Sequence, residues 1–66
     1  MFGKNLKRQR QNAGLSQQAL ADQSGVHRTL ICRYEAGKTK PTIETVYKLA
    51  VPLKCSVEKL LGSKPF

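Results

Sequence analysis

The chain has 66 residues and a mass of 7.3 kDa, which is enough for one small domain that buries roughly 60% of the surface of its unfolded chain. Hydrophobic residues make up 39%, with no Trp, two Tyr and two Phe, so we expect a mainly aliphatic core without a large enclosed substrate cavity. Twelve Lys and Arg against four Asp and Glu give a net charge of +8 and a pI near 10.0. A charge of this sign and size indicates a polyanionic partner.

Neither a membrane span nor a secretory signal is predicted from the sequence. The longest apolar run, residues 49–53, is interrupted by Pro52 and is far shorter than the roughly 20 residues that cross a bilayer. Basic residues begin at Lys4 and continue to Arg10, whereas a signal peptide has an apolar stretch after its charged start. We therefore expect a cytoplasmic protein with no membrane partner.

The residue types needed for catalysis or metal binding are scarce and dispersed. The chain has one histidine, His27, four separated carboxylates and no glycine-rich phosphate loop, so no nucleophile and base can be paired. Cys32 and Cys55 match no metal-ligand spacing, and free thiols are favoured over a disulfide in a cytoplasmic chain. We predict no enzymatic activity, no metal and no cofactor.

Apolar spacing and stop signals predict two helices in the first part of the chain. Side chains that recur every four residues indicate a helix over Phe2–Ala13, ended by Gly14, because glycine readily adopts the left-handed conformation of a helix end. Ser16 can accept a hydrogen bond from the first free amides of a second helix over Gln17–Ser24. Gly25 closes that helix.

A third helix is predicted from His27 to Ala36, ended by Gly37. The helical wheel directs Leu30, Ile31 and Tyr34 inward. The opposite stripe is exposed and carries two arginines: Arg28, Thr29, Cys32, Arg33 and Ala36.

Two further helices complete the prediction of an all-α, compact five-helix bundle. Thr42 caps the fourth helix, which runs through Ile43, Val46, Leu49, Ala50 and Leu53. Pro52 predicts a kink or an early end near Val51, because proline removes one amide and clashes with the carbonyl four residues back. Ser56 caps a fifth helix over residues 57–61. One domain over residues 1–62 and a short tail, residues 63–66, are expected.

The segment from Gln17 to Glu35 reads as a helix, a tight turn and a second helix. Together with Ser16-Gln17, Leu20-Ala21, Tyr34-Glu35-x-Gly37, Lys38–Pro41 and Leu49-Ala50-x-x-Leu53, it strongly resembles the helix-turn-helix of the phage repressor and Cro family, also called Xre-like. The resemblance covers nearly the whole chain and is close to the N-terminal domains of lambdoid phage repressors. It implies a lambda-repressor-like bundle whose helices 2 and 3 form the helix-turn-helix.

The resemblance also implies that helix 3 enters the DNA major groove. The side of helix 3 that would face the groove is the same stripe that the helical wheel exposes. Arg28 and Arg33 have planar forks that match guanine O6 and N7, and Thr29 can reach a base edge or a thymine methyl. Cys32 lies in the same stripe, where its small size permits close approach to the bases.

Other family positions imply contacts with phosphates, an ion pair and a dimer interface. The predicted phosphate contacts are Gln17, Gln18, His27, Lys38, Thr39, Lys40 and Thr42. Arg10 and Glu35 match a structural ion pair between helix 1 and the end of helix 3. A C-terminal dimer interface would contain Leu60, Leu61, Pro65 and Phe66, although Leu60 and Leu61 can equally close the core.

The leading functional hypothesis is sequence-specific binding of double-stranded DNA by a homodimer on a pseudo-palindromic operator, as a transcriptional regulator, most simply a repressor, in the nucleoid. One alternative is an antitoxin or adaptor module whose C-terminal helix binds a protein and whose DNA contact is secondary. Another is a basic protein that coats nucleic acid without sequence preference.

Overall fold

The structure is a computed structural model that describes residues 2–62, and within them it consists of five helices and no strand. These are α1 (Phe2–Asn12), α2 (Gln17–Ser24), α3 (Arg28–Glu35), α4 (Ile43–Leu53) and α5 (Val57–Leu61). The predicted all-α, five-helix fold is confirmed. In this part of the chain no helix has the length and apolar character required to traverse a lipid bilayer. The predicted tail, residues 63–66, lies outside the described residues.

Each helix contributes at least one side chain to a single aliphatic core. The helix α1 packs against α3 and α5, α2 packs against α3 and α4, and α4 also contacts α5. The buried side chains are Leu6, Leu20, Ala21, Val26, Ile31, Tyr34, Val46, Leu49, Ala50, Leu53 and Leu60. The helix-turn-helix is therefore fixed from behind by α1 and α4.

Hydroxyl side chains begin three of the helices, as predicted. Ser16 Oγ accepts a hydrogen bond from the Ala19 amide at 3.0 Å, Thr42 Oγ1 accepts one from the Thr45 amide at 3.2 Å, and Ser56 Oγ accepts one from the Lys59 amide at 3.3 Å. Each bond satisfies an amide that lacks a partner inside its helix, which stabilises the helix by about 1 kcal/mol.

Three predicted helix boundaries are wrong by one residue. The helix α1 ends at Asn12 rather than at Ala13, and α3 spans Arg28–Glu35 because His27 and Ala36 are its flanking cap residues. The difference is small because the glycine signals are correct. Gly14 and Gly37 both have positive φ, of 71° and 74°.

Of the two alternatives predicted at Pro52, a kink or an early end near Val51, the early end is wrong, because α4 continues through Pro52 to Leu53. Pro52 lies in the last turn, so only one helical residue follows it. Lys54 then adopts the left-handed conformation, with φ 53°, and its amide bonds to the carbonyls of Ala50 and Val51. Burial of the Leu53 side chain and this closing turn hold the helix despite the amide that proline removes.

The structure contradicts the surroundings predicted for Leu30 and decides between the two predicted for Leu60. Leu30, expected in the core, is 40% exposed. The helix α3 packs mainly against α1 and α2, and these cover Ile31 and Tyr34 but not the flank on which Leu30 lies. Leu60, for which the sequence predicted either a dimer interface or closure of the core, is completely buried in the core. Its carbonyl accepts a hydrogen bond from Asn5 Nδ2 at 3.2 Å, which joins α1 to α5.

The N-terminus of α1 passes very close to the C-terminal end of α3. A Cβ atom added to Gly3 would lie 2.3 Å from the carbonyl oxygen of Tyr34 and 3.1 Å from that of Glu35. Next to this contact, the ring of Phe2 meets the edge of the Tyr34 ring at a centroid distance of 5.5 Å. The absence of a side chain at residue 3 allows this approach.

We predict that Gly3→Ala destabilises the protein by about 1–3 kcal/mol, the range for overpacking a well-filled site. The sign of the change in unfolding free energy is diagnostic, because Gly→Ala within a helix ordinarily stabilises a protein by roughly 0.5–1 kcal/mol. Urea denaturation followed by circular dichroism measures the change. Lys4→Ala, at the next and exposed position of the same helix, is the control and should be nearly neutral. A Gly3→Ala chain more stable than the unaltered one would contradict the close approach.

Candidate nucleic-acid interface

A tight turn fixes the angle between α2 and α3. Gly25 has φ 76°, which only glycine adopts without strain, and its amide closes α2 on the Ala21 carbonyl. The Val26 amide then donates to Ser24 Oγ at 3.1 Å, and the Val26 side chain is buried in the core. The turn thus sends the chain directly into α3 with its apolar face toward the core.

The predicted outward stripe of α3 is exposed along its whole length. The opposite face is fixed by Ile31 and Tyr34, both in the core. The stripe and the following loop line an open hollow of about 520 Å³, formed by Arg28, Thr29, Cys32, Arg33, Ala36 and Lys38. Three cationic side chains thus surround a concave surface with a floor of small residues.

A nearly buried ion pair holds the end of α3 in place. Arg10 Nε donates to Glu35 Oε2 at 2.8 Å and Arg10 Nη2 donates to Glu35 Oε1 at 3.1 Å, so the pair is bidentate. Arg10 Nη1 also donates to the Leu15 carbonyl at 2.8 Å, and Gln17 Nε2 donates to Glu35 Oε1 at 3.2 Å. The structure thus brings together the two residues that the sequence paired and adds α2 to the same network.

The hydrogen bond to Glu35 raises the pKa of Arg10; burial opposes this rise and the charge of Glu35 adds to it. Because the pKa of the folded state lies above that of the unfolded state, the stabilisation is fully present below the unfolded value. It is lost only in strongly alkaline solution. The guanidinium therefore keeps its charge, and the pair its strength, throughout the neutral pH range.

Most of the predicted phosphate contacts lie on the exposed surface around α3. Gln17 is partly covered because its side chain braces Glu35. Gln18 is exposed, and its amide donates to Asp22 Oδ1 at 2.9 Å within α2. His27 is exposed at the start of α3, and its side chain makes no capping hydrogen bond.

The remaining predicted phosphate contacts lie in the loop between α3 and α4. Lys38 and Lys40 are exposed, whereas Thr39 is half-buried. Thr42 is exposed, but its hydroxyl is engaged as the cap of α4. The loop thus offers two free cationic side chains beside the outward stripe of α3.

The predicted dimer interface is only partly available. Leu60 is buried within the domain, Leu61 is partly exposed at the end of α5, and Pro65 and Phe66 lie outside the described residues.

A different apolar surface, which was not predicted from the sequence, lies on α4. It consists of Ile43, Tyr47 and Val51, whose spacing of four residues was the signal that could have revealed it.

The two cysteines differ in their surroundings and are both free. Cys32 is exposed in the stripe of α3, whereas Cys55 is half-buried against the core. Burial raises the pKa of the Cys55 thiol, and the nearby Lys59 partly opposes this. Within residues 2–62 no three His, Cys, Asp or Glu side chains converge on a common point.

Comparison with known proteins assigns the class to which this arrangement belongs. Residues 6–60 match the sequence profile of the helix-turn-helix family HTH_3, and the chain belongs to this family. The resemblance inferred from the sequence is thereby confirmed.

Individual relatives are named as regulators. The chain is 43% identical over 61 residues to the SPbeta prophage-derived uncharacterized HTH-type transcriptional regulator YonR of Bacillus subtilis, covering 92% of this chain and 56% of that protein. It is 35% identical over 57 residues to the cryptic phage CTXphi transcriptional repressor RstR of Vibrio cholerae, covering 86% and 51%. The chain thus spans about half the length of these curated relatives.

A solved structure matches over nearly its whole length. The restriction-modification controller protein C.AhdI of Aeromonas hydrophila has a TM-score of 0.85 and 34% identity, and the match covers 89% of each chain. The bundle and its helix-turn-helix are therefore the shared architecture.

We predict that Arg10→Met destabilises the fold by about 3–5 kcal/mol, because it leaves the Glu35 carboxylate nearly buried without its cationic partner. Urea unfolding at low temperature measures the loss. Arg8→Met removes an exposed arginine from the same helix and should change stability by less than about 0.5 kcal/mol. The loss of unfolding free energy in Arg10→Met should be equal at pH 6 and pH 9. Because the pKa of Arg10 is raised, the guanidinium is charged at both pH values. A near-neutral Arg10→Met would show that the network does not hold α3.

Proposed function

We propose that this chain binds double-stranded DNA sequence-specifically as a homodimer, with α3 of each copy in the major groove, and that it acts as a transcriptional regulator of the repressor type. The observation that carries the proposal is the outward stripe of α3, which combines two exposed arginines with small residues. The opposite side of the helix is anchored by Ile31 and Tyr34 in the core. The relative RstR, a named transcriptional repressor, adds support.

The dimensions of α3 suit a major groove. A helix with its side chains is about 10–12 Å across, and the major groove of B-DNA is about 12 Å wide. The eight residues of α3 extend about 12 Å at 1.5 Å per residue, the length of three to four base-pair steps at about 3.4 Å each. The helix therefore fits the groove and reaches only a short half-site.

The side chains of the stripe have distinct roles in this proposal. Arg28 and Arg33 donate bidentate hydrogen bonds to guanine O6 and N7, and Thr29 contacts a base edge or a thymine methyl. The two arginines are five residues apart, which is about 7.5 Å along the helix axis, or about two base-pair steps. Cys32 contacts bases at close range because its side chain is small.

Phosphate contacts set the position of α3 without selecting a sequence. In the proposed complex they come from Gln17, Gln18, His27, Lys38, Thr39, Lys40 and Thr42. The net charge of +8 attracts DNA over a longer range.

A homodimer follows from the short reach of one helix. Three or four base pairs cannot specify a site, whereas two copies on an inverted repeat double the number read. In helix-turn-helix dimers the half-sites lie about 34–36 Å apart, one turn of the DNA helix. A repressor of this kind acts by occupying the operator.

Selection of binding sites from a random duplex pool at physiological salt tests the proposal. We expect an inverted repeat with half-sites one helical turn apart and guanines at the positions facing Arg28 and Arg33. Binding without a motif would instead indicate a protein that coats nucleic acid. Absence of binding would favour the adaptor hypothesis.

We predict that Arg28→Ala and Arg33→Ala each relax the base preference at one position of the half-site, at a cost of about 1–3 kcal/mol per base pair read. Lys38→Ala should instead weaken binding to all sequences about equally. Titration of the selected duplex and of single-base variants separates these patterns. Lys59→Ala is the control, because it removes the same charge as Lys38→Ala but from α5, which packs against α1 and α4. Equal losses on all duplexes for the arginine variants would contradict base reading.

We predict a steep dependence of DNA affinity on salt. If about six phosphates are neutralised, log K falls with log salt with a slope near −5, about three decades of affinity between 50 and 200 mM. Lys38→Ala should reduce the magnitude of the slope by about 1 per half-site. Fluorescence anisotropy at several salt concentrations gives the slope. A slope near zero would rule out binding to the phosphate backbone.

A further inference from the structure

Three apolar side chains on α4 are left uncovered by the rest of the domain. Ile43 is 59% exposed, Tyr47 is 60% exposed and Val51 is 76% exposed. Their spacing of four residues puts them along one side of the helix, and we call this side the α4 face. The core-directed side of the same helix is also apolar and fully packed. An element that is apolar on two sides has a second surface available for a partner.

Two residues of opposite charge lie beside the α4 face. Glu44 and Lys48 are exposed and one helical turn apart on the same flank. Within residues 2–62 the salt bridge of the domain joins Arg10 and Glu35, so both flanking charges remain available. When two copies of α4 pack antiparallel about a two-fold axis at residue 46, Glu44 falls opposite the partner's Lys48, and Lys48 falls opposite the partner's Glu44.

We propose that the α4 face binds the α4 face of a second copy of this chain, with the two helices antiparallel about a two-fold axis. In this arrangement Ile43 of one copy packs between Tyr47 and Val51 of the other. The contact is self-complementary in charge, as a two-fold interface requires. The proposal rests on the DNA-binding function proposed above, because it supplies the contact between the two halves of the dimer.

The size of the domain agrees with such a contact. Its longest extent, measured between Cα atoms, is 34 Å, and the half-sites of helix-turn-helix operators are about 34–36 Å apart. Two copies in contact are therefore comparable in size with the distance between successive turns of the DNA.

The contact is weak in the free protein. Three side chains and one charge pair per copy supply far less than the roughly 1,200 Å² of a stable interface. Each copy also carries a net charge of +8, so the two copies repel each other. Salt shortens the Debye length from about 10 Å at 0.1 M to about 3 Å at 1 M. Self-association should therefore strengthen with salt, whereas DNA binding weakens.

Sedimentation equilibrium without DNA, in 0.1 M and 1 M NaCl, tests the surface directly. We expect the dimer dissociation constant to fall at least tenfold at 1 M. Tyr47→Glu, at a position that is mostly exposed, should abolish the dimer. Gln11→Glu makes the same charge change at an exposed position of α1 and should leave it intact. A monomer at both salt concentrations, or a Tyr47→Glu chain that still dimerises, would overturn the proposal.

A charge exchange tests the antiparallel arrangement. Glu44→Lys should weaken the dimer at least threefold, because two lysines then face each other across the axis. Glu44→Lys combined with Lys48→Glu restores opposite charges and should return the dissociation constant to within about twofold of the original value. If the double variant is as weak as the single one, the antiparallel arrangement is wrong.

Binding to duplexes with one or two half-sites separates this proposal from the function on which it rests. Tyr47→Glu should bind one selected half-site with unchanged affinity but lose at least tenfold in affinity for two half-sites one turn apart. If the unaltered chain binds no duplex, the DNA function fails while the sedimentation result still decides the surface. If Tyr47→Glu binds both duplexes as the unaltered chain does, the α4 face is not the contact between half-sites.

Discussion

The bidentate ion pair between Arg10 and Glu35 is the interaction on which the recognition surface depends. The same guanidinium reaches the Leu15 carbonyl, and the same carboxylate accepts from Gln17. One cluster thus joins α1, the turn after it, the start of α2 and the end of α3. The helix α3 is only eight residues long and would be marginal alone. Its orientation is set by the core at Ile31 and by this cluster at its end.

A polar cluster suits this domain because its apolar resources are limited. A chain of 66 residues buries only about 60% of its unfolded surface, and one face of α3 must stay free to contact a ligand. Additional apolar side chains at the end of α3 would enlarge the core but would not define direction. A bidentate pair has a fixed geometry, so it orients the helix as well as holding it. The close approach of Gly3 to the Tyr34 carbonyl serves the same end of α3.

Local signals made most of the fold predictable. Serine and threonine caps, glycine stops and helical periodicity located the five helices, and the helical wheel placed the stripe of α3 correctly. What the sequence left wrong or open concerns surroundings that a single helix does not determine. Leu30 is exposed because no neighbouring helix covers its flank, and Leu60, for which two surroundings were predicted, is buried because α5 packs against α1. The early end predicted at Pro52 is wrong because burial of Leu53 and the closing turn at Lys54 offset the amide that proline removes. Gly3 gave no signal, since its contact is with a residue 31 positions away in sequence.

Charge has opposite effects on the two surfaces. The excess of positive charge that attracts phosphate also makes free copies repel each other, so the proposed contact between α4 faces is weak in the free protein and strengthens when salt screens the charge. In the proposed dimer, bound phosphates would remove much of the repulsion, so the contact between copies would be stronger where both already lie on DNA. Affinity for a single half-site would then stay modest, whereas two correctly spaced half-sites would be bound cooperatively. Under this proposal, discrimination between an isolated half-site and a full operator depends on the balance between a charge of +8 and three exposed apolar side chains.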